Sequence, residues 1–539
     1  MRNGENSSGR RNFLKGVGAI LLLAPMLKAC QKTAAKILIK LTGTNHVLGH
    51  KLWAKDFPKP SETIDIPYLI IGGGISGLSA ARQFSKKGIA DFLVLEMESH
   101  IGGNSSSGEN KFSKYPLGAH YLPLPNFHDK ELLAFLEEAK IITGYDGIYP
   151  IFDETQLSFD PDERLFYRNA WQDGLIPKQM SANDESEFER FLGQMQNFRS
   201  QKGQDGKYWF DLPVDWSSSD EKARDFDKIS MKDWLSQNEF SSEMLAVYVD
   251  YCCRDDFGFG IEAVSAWAGI HYFASRKFDA TKQKTDGVFT WPEGNARLAS
   301  HLKKYSEDKT LKNHLAYGIS ASDAKVKVLA YDASNKKSVE IIADKIVVCA
   351  PQFVNKYLLP NRKDLASEFT YAPWLLATLT LSDLGDNGSF PLSWDNVIQA
   401  SQGLGYIYDQ HQSIGQLQQK KVITYYRSFP SSDTKKSRRE LYSKSSEYWE
   451  KVVFDDLKTA HPDIEEITES IHIHRLGHGM ISPRPGFIWG KARRESAKNI
   501  DSKIYFAHSD LSGISVFEEA FHQGIKAVNE LLHETTLDS

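Results

Sequence analysis

The sequence contains little cysteine and little excess charge of either sign. Its 539 residues include four cysteines, and the formal net charge is −5. Cys252 and Cys253 are adjacent and Cys349 lies in an apolar run, a spacing that gives neither a disulfide framework nor a Cys-x-x-Cys redox centre. We expect buried thiols, with a vicinal disulfide at Cys252-Cys253 as the alternative. The charge gives no reason to expect a nucleic-acid partner.

Apolar runs of membrane-spanning length are also absent. The N-terminal apolar stretch Gly16–Leu27 has about a dozen residues, whereas a spanning helix needs about 20. It follows Arg10-Arg11, and a basic start before a short apolar core is the layout of a secretory signal. The twin arginines resemble those of a twin-arginine export signal, which carries folded proteins through its own export machinery.

The end of this N-terminal segment predicts a lipid anchor. Leu27-Lys28-Ala29-Cys30 resembles a lipobox, in which Cys30 is lipidated after cleavage. We therefore expect residues 1–30 to form a signal that leads to the periplasm or cell envelope, with a lipid anchor on Cys30 rather than a membrane span. The alternative is an uncleaved amphipathic tail with Cys30 as a spare thiol.

Composition agrees with a large enzyme and gives no metal site. Hydrophobic residues make up 41% of the chain and aromatic residues 12%, which is ample for a packed core. His472, His474 and His478 have ligand-like spacing, but no cluster of acids or cysteines accompanies them. We expect no metal.

The most informative motif is a glycine turn after a short apolar strand. Tyr68–Ile71 is followed at once by Gly72-x-Gly74-x-x-Gly77, which opens a helical pattern. Gly72 permits the tight turn, Gly74 lets the main chain approach a pyrophosphate, and Gly77 allows close contact between helix and strand. The first-turn amides, at Ile75 and Ser76, and the positive end of the helix favour phosphate. The pattern predicts a dinucleotide site, with an ordinary strand–helix turn as the alternative.

A second strand supplies an acid at the expected distance. Phe92–Leu95 is apolar, and Glu96 follows it about 20 residues after the glycine turn, where a carboxylate accepts hydrogen bonds from ribose hydroxyls. Six residues later come Gly102 and Gly103. This arrangement resembles the signature of the FAD-dependent amine oxidase and phytoene desaturase superfamily. In that signature an arginine usually follows the glycine pair, and here Asn104 takes its place.

Further segments resemble other parts of the same superfamily. Tyr115-Pro-Leu-Gly118-Ala119-His120-Tyr121 is similar to the small-residue turn beside the isoalloxazine ring, and a surface turn is the alternative. Ala316–Ile319 is similar to the strand on the adenine side. Ser502–Ala507 and the helical segment Ser515–Leu532 resemble the C-terminal block that closes over the cofactor. Carried over residue by residue, the resemblance implies non-covalent FAD, held also by Ile319, Asp510 and Phe517.

The order of these segments implies the domain organisation. We expect an α/β fold with a Rossmann-like FAD-binding domain of the glutathione-reductase type, discontinuous in sequence, and an α+β substrate-binding domain. The FAD-binding domain takes residues 64–126, 287–353 and 501–537. The substrate domain takes residues 127–286 and 354–500, and residues 31–63 form a lead-in linker.

Catalytic side chains are harder to identify from sequence. Asp255, beside Asp256, is a candidate to oppose a cationic amine, with an interior helix as the alternative. Trp267 and His271 are four residues apart and share a helix face. His478 is a candidate to face the flavin, and Phe487 and Trp489 are candidates for an aromatic wall beside the substrate.

The resemblance leaves three functions open. The first is an exported FAD-dependent oxidoreductase that oxidises the C–N bond of an amine, polyamines included, by hydride transfer to flavin N5. The second is a desaturase or isomerase of a lipid-like or carotenoid-like substrate, and the third is a non-catalytic envelope protein that contains FAD. The sequence has no second glycine fingerprint for NAD(P)H, so oxygen, a quinone or a redox protein is the expected electron acceptor.

Overall fold

The structure is a computed structural model that describes residues 37–277, 287–384, 390–399, 401–413 and 420–537. The predicted signal and Cys30 lie outside the described residues. The strands in these ranges are β1 Leu38–Gly43, β2 Pro60–Ile71, β3 Phe92–Leu95, β4 Ser107–Glu109, β5 Lys114–Pro116, β6 Tyr121–Pro123, β7 Ile142–Asp146, β8 Tyr149–Phe152, β9 Glu163–Tyr167, β10 Ala170–Asp173, β11 Val288–Thr290, β12 Thr310–Leu311, β13 His314–Ala321, β14 Val326–Asp332, β15 Lys337–Val348, β16 Tyr371–Leu381, β17 Asp395–Ile398, β18 Gly405–Tyr408, β19 Lys421–Ser428, β20 Thr468–Ile481 and β21 Ile504–Phe506.

Seventeen α-helices lie between or beside these strands in the described ranges. No helix in the described ranges is both long and apolar enough to cross a bilayer. The α-helices there are α1 His46–Gly49, α2 Lys51–Ala54, α3 Ile75–Lys86, α4 Lys130–Glu138, α5 Ala182–Ser200, α6 Glu221–Asp225, α7 Met231–Gln237, α8 Glu243–Phe257, α9 Ala266–Ala274, α10 Ala296–Lys303, α11 Gln352–Leu358, α12 Lys363–Ser367, α13 Thr434–Ser443, α14 Ser446–Leu457, α15 Ile464–Ile467, α16 Lys491–Ala497 and α17 Phe517–Leu537.

The first large sheet carries the glycine turn. Its order is β12-β3-β2-β15-β14-β13, and β21 pairs with the end of β15. The pairs of β2 with β3 and β15, and of β15 with β21, are parallel. Their apolar strands are buried, as expected for a parallel sheet covered on both faces. The predicted Rossmann-like unit, assembled from distant segments, is therefore confirmed.

The second large sheet has eight strands in the order β1-β20-β16-β19-β18-β17-β9-β10. One face, which includes Leu375 and Tyr425, packs on Trp449 of α14. The opposite face, which includes Leu376 and Tyr426, packs on Trp267 of α9 and its neighbours. Helices thus cover both faces of this sheet, and the predicted α/β fold class is confirmed.

Residues 31–63 do more than link the signal to the FAD-binding domain. β1 joins the second sheet and runs parallel to β20, with Thr42 opposite His474. Leu48 and Leu52, one helical turn apart on α1 and α2, pack against Leu315 and Tyr331 of the first sheet. This segment therefore contacts both sheets, and its two short helices are too brief for a helical period to be recognised in the sequence.

The packing also moves the expected boundary at residue 126. Leu132 and Phe135 of α4 belong to one buried cluster with Ile75, Leu78 and Phe521. α4 therefore packs with the glycine-turn unit, although its sequence lies inside the segment assigned to the substrate domain.

Candidate active site

The glycine turn has the geometry that a phosphate group requires. Gly72 has a φ of +111°, and a Cβ at Gly77 would lie 1.9 Å from the Gly72 carbonyl oxygen. α3 begins after Gly74, which has no side chain to cap the helix. The N-cap residue therefore accepts no side-chain hydrogen bond from the first amides of α3. Ile75 and Ser76, two of the predicted contacts, form the buried first turn of α3.

The second glycine pair closes on the first. The Gly102 amide donates to the Gly73 carbonyl at 2.8 Å, and Gly74 and Gly102 form an isolated parallel bridge. Gly103 has a φ of +58°, and a Cβ there would lie 3.2 Å from the Gly74 Cα. Two turns about 30 residues apart in sequence thus present bare main chain to one groove, which fits the close approach of a pyrophosphate.

Glu96 lies at the edge of this groove. It follows β3 directly, and its carboxylate accepts from the Gly73 amide at 2.7 Å and from the Glu98 amide at 2.7 Å. Burial raises the Glu96 pKa to about 7, against the opposing effect of these hydrogen bonds. Two lone-pair directions on each carboxylate oxygen leave acceptor capacity for ribose hydroxyls.

Asn104 joins three parts of the site. Its carbonyl accepts from the Ala119 amide at 2.9 Å, and its side-chain amide donates to the Gly479 carbonyl of β20 at 2.7 Å. A Cβ at Gly118 would lie 2.2 Å from the Asn104 carbonyl oxygen, so only glycine fits there. In place of the usual arginine, a short amide binds the predicted flavin turn to the second sheet.

The C-terminal helix completes the cradle. A Cβ at Gly524 would lie 2.2 Å from the Ser76 carbonyl oxygen, and the Ser79 hydroxyl donates to the Phe521 carbonyl at 2.6 Å. α17 therefore lies directly on α3. Phe517 packs in the apolar cluster with Ile75 and Phe135, where it supports the glycine turn from behind.

Ile319 lies farther from this groove. It is a buried residue of β13, paired with Val328, within the core of the first sheet. The start of the same strand is at the groove, because the His314 amide donates to the Glu96 carbonyl at 2.8 Å.

Asp510 is the buried connection between the C-terminal block and the rest of the site. One carboxylate oxygen accepts from the Gln352 amide at 2.8 Å and from the Tyr371 hydroxyl at 2.5 Å. The other lies 3.0 Å from Nδ1 of His508. Burial alone would raise the Asp510 pKa, but His508 and the other donors hold it below its ordinary value. The carboxylate therefore stays ionised and fixes the turn before α17.

Asp510→Ala is expected to lower the free energy of unfolding by about 3–5 kcal/mol, because it leaves buried donors unpaired. The pH dependence follows from the lowered pKa of Asp510. Its carboxylate stabilises the folded protein at pH values above 3.8, the ordinary aspartate pKa, and this contribution is lost as the pH falls below that value. Chemical denaturation at neutral pH measures the change. The matched control is Asp308→Ala at an exposed position, where we expect a change within about 0.5 kcal/mol. Equal stability of D510A and wild type would contradict this account.

Three carboxylates converge on the predicted flavin turn. The Tyr121 hydroxyl donates to Asp255 at 3.4 Å, and the hydroxyls of Tyr426 and Tyr251 donate to Asp395 at 3.1 and 3.4 Å. Asp256 follows Asp255 on α8. We call Asp255, Asp256 and Asp395 the acid cluster.

Aromatic rings from the predicted flavin turn pack against rings that neighbour the acid cluster. The His120 ring is 5.2 Å from that of Tyr426, and the Tyr121 ring is 5.6 Å from that of Trp394. Residues 118 to 121, Asp255 and Asp256 are surrounded by protein but retain accessible surface, whereas Asp395 is buried. The turn and the acid cluster are thus half-buried to buried neighbours.

Burial and mutual repulsion disfavour the negatively charged form of the acid cluster. Burial raises the pKa of Asp395 and of Asp256 to about 7, and burial with the neighbouring acids raises that of Asp255 well above its ordinary value. The nearest cations already have partners, since Arg276 pairs with Glu518 at 2.7 Å and Arg254 with Asp250 at 2.9 Å. An added cation would relieve this repulsion.

A surface cleft leads towards the acid cluster. Val247, which is 38% exposed, lines this cleft on α8, and so does Tyr251, whose hydroxyl reaches Asp395. The other lining residues are mostly apolar and include Leu165, Leu175, Met244 and Val397.

The remaining candidates from the sequence lie apart from the acid cluster. His478 precedes Gly479 on β20 and stacks on Phe353 with ring centroids 3.9 Å apart, and burial lowers its pKa to about 3. Trp489 packs edge-on against Trp267 at 6.0 Å, and Phe487 packs against Phe369. His478 thus lies on the strand that holds Asn104, whereas Phe487 is buried and Trp489 is half-buried against the core.

The histidine spacing on β20 has a structural explanation. His472 and His474 share the Thr42 hydroxyl of β1, at 2.7 and 2.8 Å. No group of three or more potential metal ligands occurs in the described part of the chain. Cys252, Cys253 and Cys349 are buried free thiols, which excludes the vicinal disulfide in this structure.

Sequence reasoning missed the partners of Asp255. Asp395 begins β17, Tyr251 lies on α8 and Tyr426 lies on β19, and only Tyr251 is near Asp255 in sequence. No local motif marks them, because their common property is a position on facing elements.

Comparison with known proteins agrees with this geometry. Residues 75–532 match the profile of a family described as flavin-containing amine oxidoreductases. A flavin-containing amine oxidase from Oncorhynchus mykiss is 31% identical over 120 residues, which cover 20% of this chain and 22% of that protein. The alignment with this curated relative thus spans only about a fifth of its length.

Two solved structures show the same fold over most of the chain. Cyclohexylamine oxidase from Brevibacterium oxydans has a TM-score of 0.63 at 16% identity and covers 88% of this chain and 100% of its own. A fatty acid isomerase from P. acnes has a TM-score of 0.62 at 15% identity and covers 86% and 98%. At these identities the likeness is one of fold.

Proposed function

The chain belongs to the family of flavin-containing amine oxidoreductases, and on that premise we propose that it is an exported FAD-dependent enzyme that oxidises the C–N bond of an amine. The predicted cofactor, FAD, fits the bare glycine groove, the Glu96 carboxylate and the Gly118-Ala119 turn. The observation that carries the substrate class is the acid cluster, whose carboxyl groups lie beside that turn.

The chain's own residues bind and orient the substrate. The acid cluster attracts the ammonium form, and the rings of His120, Tyr121, Trp394 and Tyr426 enclose its carbon chain and exclude water. Before oxidation the ammonium group gives a proton to one carboxylate of the cluster, which the raised pKa values allow near neutral pH. Bound FAD supplies the acceptor for the hydride equivalent of the adjacent C–H bond. Water would hydrolyse the oxidised substrate to a carbonyl compound and ammonia or a shorter amine, and oxygen, a quinone or a redox protein would be the final electron acceptor.

The pH dependence of cation binding follows from the raised pKa values. Below about 7 Asp256 and Asp395 take up protons, so a permanently charged cation such as benzyltrimethylammonium is expected to lose affinity by up to about tenfold per pH unit. Above about 7 these two groups are mostly ionised and should contribute little further change in affinity. The same raised values make the ligand-free fold less stable as the pH rises towards 7. Calorimetric titration of the FAD-loaded protein measures the affinity, and a pH-independent value would contradict the role of the cluster.

A screen under anaerobic conditions tests the proposed function. Bleaching of bound FAD by monoamines or polyamines supports it. Bleaching by lipids or carotenoids, or double-bond migration without net bleaching, supports a desaturase or isomerase, a second candidate that the apolar lining of the cleft favours. No response to any class would favour a non-catalytic FAD protein.

Export rests on separate observations. We base it on Arg10-Arg11, the apolar stretch Gly16–Leu27 and the lipobox-like Cys30. Mass spectrometry of the native protein provides the test. A mature N-terminus at lipidated Cys30 is the expected result, and a retained peptide upstream of an unmodified Cys30 would contradict it.

A further inference from the structure

The first described residues expose apolar side chains to an unusual degree. Leu38 and Val47 are each 72% exposed and Trp53 is 61% exposed. They are three of the four most exposed large apolar side chains in the described ranges, and the fourth is Ile148 at 65%. Single exposed apolar residues need no explanation, but Val47 and Trp53 lie on two adjoining short helices and form a candidate contact surface.

The short helices orient two of these side chains outwards. Leu48 and Leu52 face inwards against Leu315 and Tyr331. At about 100° per residue, Val47 and Trp53 then lie on the opposite side of α1 and α2, one on each flank of His50. The rings of His50 and Trp53 stack with centroids 3.8 Å apart, so the exposed indole is held in place. We call Val47 and Trp53 the N-terminal face.

The surrounding charge is positive. From Leu38 to Lys59 the chain has four lysines and one acid, Asp56. Lys55 and Lys59 are exposed, whereas the Lys51 ammonium group lies over the Tyr331 ring at 5.1 Å. The neighbouring Glu98 accepts the Asn45 amide and so is directed at the protein. An exposed tryptophan flanked by lysines is the composition of surfaces that contact lipid headgroups.

The N-terminal face follows the predicted signal and lipid-anchor site in the chain. The apolar stretch Gly16–Leu27 and Cys30 precede it, and the eight residues from Cys30 to Leu38 span at most about 28 Å. We propose that the N-terminal face docks the folded protein on a membrane with anionic headgroups. This docking orients the molecule relative to the lipid and does not depend on which substrate the enzyme oxidises.

An environment-sensitive probe on the full-length chain tests the proposal. Cys30→Ser leaves only the buried Cys252, Cys253 and Cys349, so a maleimide dye will label a cysteine introduced by Trp53→Cys. The matched control carries Ile148→Cys, which places the dye at an equally exposed apolar position on the β7–β8 hairpin. Vesicles contain phosphatidylcholine alone or with phosphatidylglycerol, and headgroup-labelled nitroxide lipid is the quencher.

We expect strong quenching at position 53 and little at position 148 in anionic vesicles. Lys55→Glu combined with Lys59→Glu should reduce the signal at 53 to the level at 148, since lysines near an anionic surface supply the electrostatic attraction. Equal quenching at both positions, or none at 53 while the protein sediments with vesicles, would overturn the proposal. Equal quenching in neutral vesicles would overturn the assignment to anionic lipid. A dye response that follows protein concentration without vesicles would assign the face to a second copy of the chain.

Discussion

Protein in which Gly77 is replaced by alanine is expected to be purified with less than about a tenth of the FAD that the wild type retains. The new Cβ would lie 1.9 Å from the Gly72 carbonyl oxygen, so the turn must open. Overpacking of this kind costs about 1–3 kcal/mol or more, and every 1.4 kcal/mol taken from binding is about tenfold in affinity. The ratio of flavin to protein absorbance gives the FAD content, and titration of the apoprotein with FAD gives the affinity.

A matched glycine separates this effect from general destabilisation. At Gly193, on α5, nothing lies within 4 Å of an added Cβ, so Gly193→Ala should retain a full complement of FAD. Circular dichroism of both variants reports whether the fold persists. A folded G77A protein with unchanged FAD affinity would show that the pyrophosphate does not bind at this turn.

Removal of charge from the acid cluster is expected to lower amine oxidation more than any other conservative change. Asp255→Asn combined with Asp395→Asn keeps the shape of both side chains and the hydroxyl contacts of Tyr121 and Tyr426. Loss of an ionic partner for a desolvated ammonium costs about 2–5 kcal/mol, so kcat/KM for amines should fall by about 30-fold to more than 1,000-fold. FAD content should stay unchanged, because neither acid contacts the glycine groove.

The control for this experiment lies on the same helix. Glu243→Gln removes one negative charge at the exposed start of α8 and should leave kcat/KM within about twofold. Rapid-reaction measurements of flavin reduction separate the chemical step from reoxidation. If the double variant reduces its FAD with amines as fast as the wild type does, the ammonium binds elsewhere.

The features that the sequence predicts are those marked by local motifs. Gly72 to Gly77 and Glu96 lie within one strand–helix–strand unit, where each residue type has a specific task in the turn. Asn104 marked a departure from the family pattern, and the structure gives it a bond to Gly479 instead of the usual arginine contact.

Positions that depend on packing between distant elements were not predictable. Asp255 was a candidate because of its charge, but Asp395 lies 140 residues away on β17 and sits beside it only after the second sheet has formed. The edge-on contact of Trp489 with Trp267 likewise joins elements that are distant in the sequence. The exposed face of α1 and α2 also depends on tertiary contacts, because Leu48 and Leu52 define the inner side only through Leu315 and Tyr331.

The crystal structure of the protein with FAD and benzyltrimethylammonium tests the central claim most directly. We expect FAD with its pyrophosphate at Gly72 to Gly77 and its ring beside Gly118 and Ala119. The quaternary nitrogen should lie within about 5 Å of the carboxylate oxygens of Asp255 or Asp395, close enough for a strong charge interaction. A cation bound away from the acid cluster, or a flavin ring directed away from it, would contradict the account.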